Sequence, residues 1–258
     1  MILSIVTVNM NDVLGLEKTI TSVQKQSFED FEHIIIDGNS DDGSKELINK
    51  TQENYSYWIS EPDKGIYDAM NKGIKAANGE YILFLNSGDD FFYDDALQDA
   101  AVYLNKYDFV YANINVKTRS GQYIKKCPDK LTFSYLYKNV PPHQSTFIRL
   151  DLFKKIGLYD TSLSIVADWK FFIIAISKYN ATYFYLDKIF TNFYHGGISS
   201  ISENANLIEI ERNEVLESEF SVFVDDMKYR FQLERIIRNL RKSNKIKLLQ
   251  YLGVLSRF

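Results

Sequence analysis

The chain has a single cysteine, Cys127, among 258 residues. An internal disulfide and a cysteine-rich metal cage are therefore excluded, and a reducing compartment suits the protein. A basic excess is also missing, since the formal net charge is -4. That balance argues against a general nucleic-acid binder, which needs a cationic face to neutralise phosphates. No apolar run approaches the roughly 20 residues of a membrane span. The apolar stretch at Met1 to Asn9 has neither a basic leader nor a small-residue cleavage site, so it reads as a first strand rather than a signal peptide. The expected location is the cytoplasm. No internal repeat or low-complexity tract interrupts the sequence.

What the chain has is enough apolar material, 45% against 25% charged, for one ordinary globular domain with a modest appendage. Aromatics reach 15%, and core packing absorbs most of them; the remainder supplies flat surfaces for stacking on sugars or bases. Ile2 to Val8 is a β-branched run followed by Asn9, Asn11 and Asp12, then by Leu14, Leu16, Ile20 and Val23 at helical spacing. Phe31 to Ile36 repeats the pattern, ending in Asp37-Gly38-Asn39-Ser40-Asp41-Asp42-Gly43 before a helix from Ser44 to Thr51. Tyr57 to Ser60 and the helix Ile66 to Ala77 make a third unit, and Tyr81 to Leu85 a fourth strand, ending in Asn86-Ser87-Gly88-Asp89-Asp90. These alternations predict an α/β fold with a mainly parallel central sheet and helices on both faces. Ligands of such folds bind beyond the strands' carboxyl ends, where all of these polar turns fall.

Farther along, Asp95 to Lys106 reads as a helix, and Phe109 to Val116 and Gln122 to Lys126 as strands. Thr146 to Ile156 and Ser164 to Tyr179 read as helical, and Tyr183 to Leu186 and Phe190 to Phe193 as two short strands. From about Ser202 the pattern is long and helical. Lys228 to Phe258 carries nine Lys or Arg against one acidic residue, Glu234. This composition shift divides the chain into residues 1–202 and a helical extension, 203–258.

A transferase that uses a nucleotide-sugar needs a nucleoside pocket, a means of neutralising the leaving diphosphate, and a general base. Thr7 and Asn9 close the first strand and Asp37 the second, so all three can reach one pocket, with Asn39 in the adjoining turn. The plainer reading is that Asp37 and Asn39 only shape that turn. Asp89, with Asp90 beside it as the alternative, offers hard oxygen ligands suited to Mg²⁺ or Mn²⁺. His195, before Gly196-Gly197, is a second candidate for metal or diphosphate contact.

The order of motifs over roughly Met1 to Ser200 resembles the family 2 glycosyltransferases of the GT-A (Rossmann-like) fold. Gln26-Ser27-Phe28, Ile36 to Ser44, Asp63 to Gly73 and the turn after Leu85 correspond in sequence order to the family's motifs. Two positions depart from it: Gly38 stands where a second Asp is frequent, and Asn86 and Gly88 stand where an Asp-x-Asp motif is usual. This version is similar to a subgroup that assembles capsule, O-antigen and exopolysaccharide. The resemblance implies donor contacts from Asp63, Lys64, Gly65, Asn71, Asn86, Ser87 and Gly88, and a metal role for Asp89. It implies that Asp168, in Val166-Ala167-Asp168-Trp169, is the general base of an inverting, metal-dependent transfer of a hexose-type sugar. His143 and Gln144 would face the acceptor, and Trp169 would stack on its sugar. Helix capping by Asp168 and core packing by Trp169 are the structural alternatives.

The implied donor is a nucleoside-diphosphate sugar, a UDP-sugar being favoured, and the implied acceptor a glycan or polyprenyl-linked carrier. In the extension, basic residues alternate with Leu233, Ile236, Ile237, Leu240, Leu248 and Leu249. That pattern suits an amphipathic helix lying on an anionic inner leaflet, or one packed on the catalytic domain. Two other function classes are weighed. A nucleotidyltransferase would open on a Gly-rich loop, whereas Thr7 to Leu14 is Asn-rich. A non-catalytic nucleotide- or glycan-binding scaffold derived from the fold would fit the Asn86 and Gly88 departures, but Asp89 and Asp168 speak against it.

Overall fold

The computed structural model describes residues 1–194, 196 and 202–256. The chain divides into two units, Met1–Glu211 and Arg212–Phe258. In the first unit, β1 (Leu3–Asn9), β2 (Phe31–Asp37), β3 (Tyr57–Ser60) and β4 (Tyr81–Phe84) pair in parallel in the order β3-β2-β1-β4. Every residue of β1 and β4 is buried, as near-continuous apolar runs in a sheet covered on both faces should be. Between them run α1 (Val13–Gln24), α2 (Ser44–Lys50) and α3 (Ile66–Ala76). The Asp12 side chain caps α1 by accepting from the Gly15 N–H, and the Leu16–Ile20–Val23 stripe faces inward. Leu16 and Ile20 pack with Ile35 and Ile48. Each such side chain withdrawn from water contributes roughly 1.5–3 kcal/mol.

Helix α3 lies close against β1, since a Cβ built on Gly73 would stand 2.4 Å from the Val6 Cγ1. Glycine at that position lets the helix and strand backbones approach.

The second half completes one mixed sheet in the order β3-β2-β1-β4-β8-β6-β9-β5, with β7 beside β6. Its members are β5 (Asp90–Phe91), β6 (Phe109–Thr118), β7 (Gly121–Lys125), β8 (Thr146–Arg149) and β9 (Tyr183–Tyr194). The helices here are α4 (Ala96–Ala101), α5 (Phe133–Leu136), α6 (Asp151–Ile156) and α7 (Ala167–Lys178).

Three expectations are corrected here. Thr146 to Arg149 is a strand, not the start of a helix, because its backbone pairs antiparallel with β4 on one side and β6 on the other. The two short strands expected after Tyr183 are one strand, continuous through an irregularity opposite Ala112 to Ile114. The helix expected over Asp95 to Lys106 spans only Ala96–Ala101.

α8 (Ala205–Lys242) begins in the first unit and is interrupted at Phe220, whose φ of -140° is non-helical. The rest of the second unit is α9 (Asn244–Tyr251) and its short continuation. Leu233, Ile236, Ile237 and Leu240 recur at helical spacing and are exposed. No described helix is long and apolar enough to cross a membrane.

Candidate active site

Because β1, β2 and β4 are parallel, their carboxyl ends lie on one edge, and the loops there lock together. The Asn11 N–H donates to Ser40 Oγ, the Val13 N–H to Asp42 Oδ2 at 2.7 Å, and the Asp41 N–H to Asn11 Oδ1. Asp37, with no exposed surface, accepts from Asn9 Nδ2 (2.7 Å), Ser40 Oγ (2.6 Å), the Ser40 N–H (3.0 Å) and Ser60 Oγ (2.6 Å). Burial pushes its carboxyl up, but these hydrogen bonds outweigh burial and hold it below the usual carboxylate range. Two of these bonds come from the turn itself, through Ser40, and two from the ends of β1 and β3, through Asn9 and Ser60. Thr7 is likewise internal, bonded to His33 Nε2 and the Leu85 carbonyl. Neither offers a free atom to a ligand, so the turn-shaping reading of Asp37 fits the geometry. Asn9 keeps one buried oxygen, Oδ1, without a hydrogen-bond partner, and Asn39 is exposed in the left-handed conformation.

The third loop leads into α3. Asp63 is ion-paired with Lys72 at 2.5 Å; Lys64 and Gly65 are exposed, Gly65 being the N-cap of α3 at φ +121°. Asn71 is taken up structurally, donating to the Tyr159 carbonyl and accepting from the Tyr159 N–H.

The turn after β4 is different. Gly88 has φ +92°, which favours glycine, and its carbonyl accepts from Lys18 Nζ at 2.8 Å. Thr19 Oγ1 donates to the Asp89 carbonyl. Both Asp90 oxygens are committed, Oδ1 to Lys18 at 2.5 Å and Oδ2 to Asn192 Nδ2 at 2.8 Å. Asp89 is 7% exposed, and burial pushes its carboxyl up to about 7. The charges of His143 and Lys18 and the Tyr194 N–H oppose that rise, while Asp90 adds to it. The Asn86 Oδ1, buried on the same turn, has no hydrogen-bond partner among the described residues. Ser87 is half-buried, its N–H bonded to the Val8 carbonyl.

A buried carboxylate with so few partners among the described residues fits a cation. Among the described residues, no three His, Cys, Asp or Glu side chains converge as a complete cage. Mg²⁺-type sites commonly use one or two carboxylates and take their other oxygens from water and substrate phosphates, a pattern that a single carboxylate such as Asp89 fits. Asp90, the alternative ligand, is paired with Lys18 and Asn192. His195 lies outside the described residues.

His143 joins this turn to the second half. Its Nε2 lies 3.4 Å from Asn86 Nδ2, and its Nδ1 lies 3.6 Å from Asp168 Oδ2. Asp168 opens α7 and accepts at Oδ1 from the Trp169 N–H (2.8 Å), with the Tyr67 hydroxyl 2.9 Å away. Burial pushes Asp168 up; its pairing with His143, the Tyr67 hydroxyl and the Trp169 N–H outweigh that and hold it low. It is an ionised, fixed acceptor. For His143 burial pulls the imidazole down, and Asp168 together with the charge of Asp89 brings the net value above 6.5.

Trp169 does not stack on a sugar: it is 1% exposed, with Nε1 donating to the Leu136 carbonyl. Its ring fills core while its backbone orients Asp168. Gln144 is buried. Sequence reasoning passed over Tyr67 and Lys18. Tyr67 lay inside the quoted motif and was absorbed into the aromatic core, whereas Lys18 had no signal beyond its place on α1.

The description "Glycosyl transferase family 2" matches residues 4–156. An uncharacterized glycosyltransferase of Mycobacterium tuberculosis is 35% identical over 67% of this chain and 68% of its own length. A PGL/p-HBAD biosynthesis glycosyltransferase of Mycobacterium bovis is 28% identical over 84% of this chain and 81% of its own. Among solved structures, S. aureus TarS 1–349 in complex with UDP-GlcNAc superposes with TM-score 0.66 and 20% identity, covering 84% of this chain and 67% of that one. Mannosyltransferase PcManGT of Pyrobaculum calidifontis, in complex with GDP-Man and Mn²⁺, gives TM-score 0.59 and 13% identity over 77% and 58%. At these identities the two structures speak for the fold alone, and that fold is GT-A. With the family match covering more than half of the chain, the protein belongs to glycosyl transferase family 2.

Proposed function

We propose that this glycosyltransferase moves a hexose-type sugar, with inversion, from a nucleoside diphosphate to a glycan or polyprenyl-linked acceptor of the cell envelope. The observation that carries the reading is Asp168, an ionised carboxylate held by Tyr67 and Trp169 and joined through His143 to the turn that bears Asn86 and Asp89. The acceptor hydroxyl donates to Asp168, which takes its proton as the new bond to the anomeric carbon forms. The bond from that carbon to the diphosphate oxygen breaks on the opposite face, so the configuration inverts and no covalent enzyme intermediate is needed. A divalent cation held by Asp89 would offset the charge that develops on the departing diphosphate. Lys18, fixed on Gly88 and Asp90, adds positive charge to the same edge.

A UDP-sugar donor is supported by the UDP-GlcNAc complex of the TarS neighbour, and a divalent ion by the Mn²⁺ of the mannosyltransferase. The biosynthetic name of the Mycobacterium bovis relative supports an envelope glycan as product; capsule and O-antigen assembly are the subgroup's version of that role.

We place the reaction at the cytoplasmic face of a membrane, with the C-terminal helices as peripheral contact. In α8 the exposed Leu233, Ile236, Ile237 and Leu240 are interleaved with Arg235, Arg238 and Lys242. Near an anionic leaflet each cation contributes about 1 kcal/mol. Replacing these three cations with Glu should abolish binding to phosphatidylglycerol vesicles and leave nucleotide binding intact; unchanged vesicle binding would refute the membrane contact.

The function is tested by thermal shift with UDP, GDP, CMP and dTDP, each with Mn²⁺ or EDTA, since a ligand that binds only the native state raises its stability. A Mn²⁺-dependent shift with one nucleotide, lost in Asp89→Asn, is expected. Absence of any shift in folded protein would turn the reading toward a non-catalytic relative of the family.

A further inference from the structure

The residues before Asp168 form a loop that runs from the end of α6 into α7, and polar groups from elsewhere in the fold hold it. Asn71 clamps the Tyr159 backbone from both sides. Asp160 accepts from the Ser162 N–H and hydroxyl and pairs with Lys170 at 2.7 Å. Tyr67 spans the loop and the base, its hydroxyl lying 2.5 Å from the Ile165 carbonyl and 2.9 Å from Asp168 Oδ1.

The last stretch is held by one side chain. Glu211, 5% exposed and located on α8, accepts from the N–H groups of Ser164 (2.6 Å), Ile165 (3.0 Å) and Val166 (3.2 Å). Val166 is the N-cap of α7 and makes no side-chain capping bond of its own. Helix starts leave N–H groups exposed and favour a nearby negative charge. Here a residue 45 positions downstream of Val166 supplies it.

We infer that Glu211 is a positioning residue for transfer: its carboxylate fixes the 164–166 backbone and thereby the aim of Asp168, which Tyr67 also holds, at the acceptor hydroxyl. This rests on the proposed role of Asp168 as base. It also extends the part of the chain beyond the family match at residues 4–156 that serves the reaction from Asp168 on α7 to Glu211 on α8.

The energetics favour such a part. Three charge-assisted bonds from consecutive backbone N–H groups set both position and direction, and no other residue type does so from this distance. Glutamine keeps the shape but presents only one acceptor oxygen, and its NH₂ meets an N–H donor. Aspartate is one methylene short and cannot reach all three. Loosening the loop moves Asp168 without touching the donor edge, and a displacement of about 1 Å at a reacting group costs on the order of 100-fold in rate.

The test uses the full chain as wild type, Glu211→Gln, Glu211→Ala and Asp168→Asn. Nucleotide release is followed with UDP-GlcNAc, UDP-glucose and GDP-mannose, alongside amide hydrogen exchange of the 162–169 segment. The expected result is a kcat lower by roughly 10-fold in Glu211→Gln and 100-fold in Glu211→Ala. The donor KM should stay within about twofold of wild type, since a positioning role is lost from the chemical step and not from binding. Exchange should rise about tenfold in segment 162–169 and nowhere in β1 to β4, local opening being read residue by residue.

If Asp168→Asn abolishes turnover while Glu211→Gln keeps wild-type kcat, the inference fails and the base assignment stands. If Asp168→Asn retains turnover, the base assignment fails. Should the wild type turn over none of the three donors, or Glu211→Ala unfold, exchange in folded Glu211→Gln decides: unchanged protection of 162–169 overturns the inference.

Discussion

Asp37 and Asp89 are the same residue type on the same sheet edge, both almost wholly buried, yet their carboxyls are driven in opposite directions. Asp37 ends β2 and receives four hydrogen bonds from its own turn and its neighbours, which hold it below the usual carboxylate range. Asp89 follows β4 and is pushed up to about 7 by burial. Burial is the largest influence on both, and at Asp37 the four hydrogen bonds outweigh it, whereas at Asp89 they do not. A carboxylate satisfied by its surroundings builds the edge, and one left short is free to take a cation or a proton. Asp168 is the intermediate case, satisfied at Oδ1 by the Trp169 N–H and the Tyr67 hydroxyl, and at Oδ2 facing His143 3.6 Å away.

That ranking yields tests of decreasing size. Asp168→Asn removes the proton acceptor but keeps shape, and should lower transfer by roughly 1,000-fold with nucleotide-dependent thermal shifts unchanged, as expected for loss of a general base. Near-wild-type transfer would remove Asp168 from the chemistry. Asp37→Ala leaves the buried Asn9 and Ser40 groups and the half-buried Ser60 hydroxyl without their acceptor. Each buried orphan costs about 1–3 kcal/mol, so the loss should total on the order of 4 kcal/mol, read in urea unfolding. The same measurement on Asp89→Asn should differ little from wild type, because the variant removes a buried charge, while its Mn²⁺-dependent nucleotide shift disappears. Equal destabilisation of both variants would erase the proposed contrast.

Much of this was legible in the chain. Buried parallel strands read directly as β-branched runs, and the polar turns fell at their carboxyl ends because the alternation of elements allowed little else. What could not be read was which polar residues had already spent their hydrogen bonds. Thr7, Asp37 and Asn71 resemble ligand contacts in sequence, but their partners His33, Ser60 and Tyr159 are brought to them only by the fold. Trp169 carried the right residue type beside the base, yet the Leu136 carbonyl claims its indole N–H inside the core. Thr146 to Arg149 reads as helix in sequence because a four-residue stretch with two apolar residues has no period long enough to separate strand from helix; its pairing with β4 and β6 decides it. Glu211 lay beyond any local pattern, 46 residues from Ile165.

The smallest expected effect concerns His143 and Asp168, where burial and pairing act in opposite senses. His143 is raised above its ordinary 6.5 once Asp168 and Asp89 offset burial, and Asp168 is lowered below 3.8. A raised histidine stabilises fully below 6.5 and loses that contribution as pH rises through its folded value. A lowered aspartate stabilises above 3.8 and loses its contribution as pH falls through its folded value. The pair therefore contributes most between 3.8 and 6.5. Both side chains are partly exposed, at 25% and 19%, which limits the contribution to about 1 kcal/mol, or about 2–4 °C in a chain of this size. The gap in melting temperature between wild type and His143→Gln should be widest near pH 5 and close by pH 9. The charged imidazole must donate from Nε2, so Asn86 has to turn its unpartnered Oδ1 toward it. A gap that widens toward pH 9 would mean that burial wins, that His143 is neutral and accepts from Asn86 Nδ2, and that Asp168 is held low by Tyr67 and the Trp169 N–H alone.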